Sequence, residues 1–240
     1  MKRRSYLFKS SLTLYLFLIM FQSFAQQKEQ EIKVYKSLET ALKQPKKVEI
    51  LHLDHKNLVE VPVGVFKLKN LRILNLSSNS LKSLPGEIIK LQKLEELNLS
   101  SNLLTSFPKN FGDLKNLKTL VLSFLPLSSI PEEVFKLKKL KALYLTFNRI
   151  SSIPKQIQKL KNLESLFLGT NRIKALPPEI GKLENLKELG LEFNPLKSLP
   201  KQMEKLKNLK ELNLSNCYIS QDEYKKIKSW LPKCQIWGYE

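Results

Sequence analysis

A period of 23 residues runs without a gap through most of this 240-residue chain, and it limits the possible folds more than any other feature. From Val48 the beat falls on Leu71, Leu94, Leu117, Leu140, Leu163, Leu186 and Leu209. Each opens a stretch of the form LxxLxLxxNxLxxLPxxIxxLxx, as in LKALYLTFNRISSIPKQIQKLKN from Leu140. The LxxLxLxx part alternates apolar and polar residues, the period of a strand. So short a unit cannot bury its apolar side alone, and successive units must stack around a shared core. The expectation is a parallel sheet with one strand per unit. Opposite it should lie short helical or extended turns, because each Pro fixes φ and removes a donor.

These stretches resemble the leucine-rich repeat family, in its 23-residue form with Pro in the turn. The chain's two ends are similar to the caps of exported bacterial members, spirochaete ones included. The resemblance implies an α/β class fold: a right-handed solenoid, or horseshoe arc, with a parallel β-sheet on the concave face. Residues 48–219 then hold seven full units and a partial eighth. The resemblance also implies a non-enzymatic binding protein for envelope or host proteins, although the scaffold serves many functions.

Residues 1–25 read as a signal peptide. Lys2, Arg3, Arg4 and Lys9 precede an apolar stretch from Leu12 to Phe21, and Ser23-Phe24-Ala25 supplies a small-x-small exit, so cleavage is expected after Ala25. Lys9, Ser10 and Ser11 interrupt the apolar run, whereas a spanning helix needs ~20 apolar residues. No Cys follows to take a lipid anchor. A secreted or extracytoplasmic protein without a transmembrane segment is expected. Subtracting the leader's basic residues lowers the formal net charge from +19 to +15.

Residues 26–47 read as an N-terminal helical cap, with Tyr35, Leu38, Ala41 and Leu42 on one face, Ser37 before it and Pro45 after it. Residues 220–240 read as a cap helix and edge strand. Ser220 and Glu223 have capping-box spacing, and Trp230 and Trp237 suit cap packing. Aligning Cys234 with Leu212 separates Cys217 and Cys234 by about five residues along adjacent strands, beyond bonding range at ~3.3 Å per residue. Two buried free thiols are expected.

The leucines of LxxLxL, the residue before each Pro, and the apolar residues of IxxL should form the core. Asn79, Asn102, Asn148, Asn171 and Asn194, at the ninth position, should bond backbone groups at the strand exit. Lys56, Leu125 and Cys217 break that row, and Leu125 beside Pro126 should give a local irregularity without loss of the unit.

The third, fifth, seventh and eighth positions should face solvent on the concave side. The front of the arc is small and polar there, with Asn75, Ser77, Ser78, Asn98, Ser100 and Ser101. Further on come Phe124, Tyr144, Phe147, Phe167 and Phe193, bordered by Glu188, Glu192 and Glu211. Contiguous apolar surface of this kind marks a binding site for a protein ligand, aromatics being the dominant anchors of interfaces. The blander alternative is that these rings stack on one another or turn into the core.

The twentieth positions are Lys67, Lys90, Lys136, Lys159, Lys182 and Lys205, a lysine row on the outer or lateral face. It serves either solubility or adhesion to an anionic glycan or membrane surface. Export and the excess of Lys over Arg disfavour nucleic acid. His52, Asp54 and His55 could hold Zn²⁺ only with a further ligand, which the sequence does not suggest. No nucleophile constellation or phosphate loop is recognisable. A monomer without catalytic residues, cofactor or metal is the expectation.

Overall fold

A computed structural model describes residues 33–238 of the chain. The chain divides into two compact units at Val34. Nearly all of the first, including the expected leader and its cleavage after Ala25, lies outside the described residues. The second, Tyr35–Glu240, is the body of the protein.

Ten strands form one sheet whose spatial order is the chain order. They are β1 (Val34–Tyr35), β2 (Ile50–His52), β3 (Ile73–Asn75), β4 (Glu96–Asn98), β5 (Thr119–Val121), β6 (Ala142–Tyr144), β7 (Ser165–Phe167), β8 (Glu188–Gly190), β9 (Glu211–Asn213) and β10 (Gln235–Trp237). From β2 to β9 each strand pairs in parallel with the next at an offset of 23 residues, as in Tyr144 opposite Phe167. The sequence period is therefore the strand register itself.

Seven 3₁₀ turns return the chain, from Val63–Lys67 in the first unit to Lys201–Lys205 in the seventh. The Pro before most of them is extended (φ −60°, ψ 130° at Pro62), and i→i+3 bonds such as Leu68 N–H to Val65 O (3.1 Å) close each turn. Beneath the sheet, Leu71, Leu74, Leu76, Ile88 and Leu91, and their counterparts in the other units, are almost wholly buried. Each such side chain contributes ~1.5–3 kcal/mol. Pre-proline residues complete the core, Phe107 being the most exposed of them at 9%.

The ninth-position Asn spans two units. Asn148 Nδ2 donates to Leu122 O (2.8 Å) and Leu145 O (2.9 Å), while its Oδ1 accepts from Leu127 N–H (3.3 Å). At Cys217 the thiol keeps one of these bonds, donating to Leu191 O at 3.2 Å. Leu125 supplies none, yet β5 keeps its register, so the break stays local. A second asparagine ladder, not anticipated from the sequence, runs at the twenty-third position. Asn70, Asn116, Asn162, Asn185 and Asn208 each donate Nδ2 to the carbonyl 24 residues earlier, at 2.6–2.9 Å.

Helix α1 (Leu38–Leu42) is capped by Ser37, and α2 (Gln221–Trp230) by Ser220, whose Oγ accepts from Glu223 N–H at 3.2 Å. Glu223 does not complete the capping box. Its Oε1 accepts from Leu199 N–H (3.2 Å), which ties the helix to the seventh unit. The register of β10 also differs from expectation. Ile236 stands opposite Leu212, at an offset of 24, and Cys234 is not opposite Leu212. The cause is the turn after α2: Cys234 N–H bonds to Leu231 O (3.1 Å) and both side chains are buried, which advances the strand. Cys234 is a buried free thiol whose pKa burial pushes up to about 11, whereas the free Cys217 is only half-buried. Trp230 packs against the core, and Trp237 lies 37% exposed on the closing edge strand.

Candidate functional site

The parallel register lines up equivalent positions on the side of the sheet opposite the leucines. In the fifth-position row Val121, Tyr144, Phe167 and Gly190 are successive partners. The rings of Tyr144 and Phe167 stack with centroids 4.9 Å apart and planes 6° from parallel. In the eighth-position row Phe124 and Phe147 stack at 4.4 Å and 9°. The stacking alternative is thus real, but it does not take the rings out of solvent. Phe124, Phe147 and Phe193 are 39%, 47% and 45% exposed, and Tyr144 and Phe167 are half-buried. Val121 and Gly190, also expected to face solvent, are buried beneath this layer.

Every eighth position, from His55 to Asn216, has a left-handed backbone with φ between 54° and 58°. That conformation belongs to the strand exit and does not depend on the residue occupying it. Asn accepts it readily, whereas a bulky side chain is disfavoured there. Phe124, Phe147 and Phe193 are therefore both strained in backbone and exposed in side chain.

Beside Phe167, Gly169 and Gly190 leave room that Glu192 fills. A Cβ on Gly169 would lie 2.1 Å from Glu192 Oε1, and one on Gly190 would lie 2.9 Å from Phe167 Cδ1 and 3.1 Å from Glu192 Oε2. The Glu192 carboxylate thus folds over both glycines beside the Phe167 ring. Its Oε2 is buried and accepts no hydrogen bond among the described residues, and burial raises its pKa. Glu188 accepts from Ser165 Oγ at 3.1 Å. Burial and then the nearby charge of Glu188 push the Tyr144 hydroxyl pKa well up. Sequence reading placed Glu192 only on the border. The available signal was Gly at two open-face positions of neighbouring units, one of them 23 residues before Glu192.

The remaining candidates stand apart. His52 is half-buried, with its pKa lowered chiefly by desolvation, and Asp54 accepts from Asn75 Nδ2 at 3.3 Å. No group of three or more His, Cys, Asp or Glu among the described residues is placed to hold a metal ion. The twentieth-position lysines are all exposed, at the end of each turn. No helix among the described residues is long and apolar enough to cross a membrane.

No curated protein matches the sequence significantly. The "leucine-rich repeat region" profile matches residues 132–230 and the "leucine rich repeat" profile residues 46–104, together more than half of the chain. A leucine-rich repeat protein of Leptospira interrogans is 37% identical, with a TM-score of 0.54 over 82% of this chain. The chain spans 62% of that protein's length. Two internalins of Listeria monocytogenes share the fold, each with a TM-score of 0.71. Internalin inlF is 20% identical over 81% of this chain and 55% of its own; internalin C2 is 24% identical over 83% and 90%. The repeat, its register and these matches agree: the chain belongs to the leucine-rich repeat family.

Proposed function

We propose that this protein is an exported, non-enzymatic binding module that recognises a protein partner through its concave face. Envelope or host proteins are the class of partner expected. Phe124, Tyr144, Phe147, Phe167 and Phe193 supply the anchors, with Glu188 and Glu192 at the border. One observation carries the reading: bulky aromatics occupy left-handed backbone positions and remain exposed, where His, Ser, Thr or Asn fills the same position in other units. A sequence under selection for stability alone would favour Asn there, and contiguous exposed rings are what interfaces use. The chemistry expected of the site is recognition without turnover, and nothing in it calls for a cofactor.

The test is crosslinking capture with the full chain beside a Tyr144→Ser/Phe167→Ser variant whose folding is checked by circular dichroism. The variant should lose the partners that the unmodified chain captures. An unchanged set of captured proteins would overturn the reading. A second reading, adhesion to an anionic glycan or membrane surface, is favoured by the exposed lysine row from Lys67 to Lys205. It would show as binding to phosphatidylserine vesicles that falls steeply with salt and ignores the aromatic substitutions.

A further inference from the structure

Charge is divided between the two sides of the sheet. The third, fifth, seventh and eighth positions of the eight units make thirty-two places on the side opposite the leucines, and none is Lys or Arg. The chain has 41 such residues in 240, so an even spread would put about five there (32 × 41/240). Five of those places are acidic instead: Asp54, Glu96, Glu188, Glu192 and Glu211. Three lysines at the strand starts are held in ion pairs. Lys141 and Lys187, at the strand starts, both reach Glu164 (2.8 and 2.5 Å), and Lys118 reaches Glu95 (2.7 Å). The Lys141 and Lys187 bonds hold the Glu164 carboxyl below its ordinary range. No Lys or Arg stands among those thirty-two places to pair with these carboxylates.

The half-buried Glu192 carboxyl beside Phe167 gives this field a focus. Phe167 Cδ1 and Glu192 Oε2 already cover Gly190, the oxygen closed off from solvent and without a hydrogen-bond partner among the described residues, the ring half-buried. A carboxylate beside an aromatic face suits a cation with an apolar stem, which gains both a charge-assisted bond and a ring contact. We propose that the segment recognised at the aromatic patch carries a Lys or Arg side chain that lies along the solvent side of the Phe167 ring, drawn there by the carboxylates of Glu192 and Glu188. This rests on the protein-recognition reading above and names the chemistry of its partner. It runs against the molecule's overall charge: at +19, non-specific attraction would favour acidic ligands.

A random dodecapeptide library displayed on phage, selected against the immobilised full chain at physiological salt, tests this. The recovered peptides should carry Lys or Arg next to apolar residues. A synthetic peptide of the recovered sequence should bind at least tenfold more weakly to Glu192→Gln or to Glu188→Gln, and equally so when its Arg is replaced by citrulline. Glu188→Gln keeps the test open should Glu192→Gln perturb the packing over Gly169 and Gly190. Acidic or neutral peptides, no recovered peptide, or undiminished binding to both Gln variants would overturn the proposal. If those same peptides still lost binding to Tyr144→Ser/Phe167→Ser, the protein-recognition reading would survive it. If they bound that variant undiminished, both would fall.

Discussion

At the scale of single residues, the ninth and eighth positions pull in different directions. The ninth holds the structure together. Asn148 satisfies backbone groups of two units at once, so Asn148→Ala leaves buried donors and acceptors unpaired and should destabilise the protein by about 1–3 kcal/mol, read from denaturant unfolding. The eighth position gives stability up. Phe193→Asn relieves a left-handed backbone under a bulky side chain and should raise stability by about 1 kcal/mol while weakening partner capture. Glu192 adds a pH signature. Its folded-state pKa is raised by burial above 4.5, so the folded state binds its proton more tightly and the burial penalty is full only above the raised pKa. Glu192→Gln should therefore melt higher than the unmodified protein near pH 7.5, and the gap should close as pH falls toward 4.5; a gap independent of pH would refute the assignment.

At the scale of elements, what adjoining turns allow decides which substitutions are tolerated. A Cβ on Gly181 would lie 2.2 Å from the backbone O of Gln202 in the next turn, whereas one on Gly86 meets nothing closer than 3.5 Å. Gly181→Ala should cost about 1–3 kcal/mol by overpacking, and Gly86→Ala should change stability by less than about 0.5 kcal/mol. Thermal unfolding of the two variants measures the contrast. The elements also show where sequence reading reaches and where it stops. Repetition alone makes the strands, the leucine layer and the Asn148 type of ladder legible, because the same local rule is stated again in each unit. Rules confined to one segment did less well. Ser220 and Glu223 fit a capping box, but the carboxylate found a better donor 24 residues away at Leu199. The alignment of Cys234 followed the apolar pattern, whereas burial of Leu231 and Cys234 in the closing turn set the real offset.

At the scale of the whole molecule, register decides which side chains meet a partner. It stacks Phe124 on Phe147 and Tyr144 on Phe167 across three consecutive units, a grouping that can be read from the sequence by counting positions, with Phe193 one unit further on. The seat of Glu192 over Gly169 and Gly190 was not legible in this way, because it depends on the side chains absent at the two glycines as much as on the one present. The separation of charge is likewise a property of the assembled sheet, since each unit is rich in lysine along the chain and free of it on one side.

Hydroxyl-radical footprinting with mass spectrometry tests the register most directly, because the chain carries its own buried controls. Phe124, Phe147 and Phe193 should be oxidised readily, while Phe111 and Phe135, at 0% and 2% exposure, should stay protected until the protein unfolds. Equal protection of all five rings, or the reverse order, would contradict the placement of the aromatic patch on the open side of the sheet.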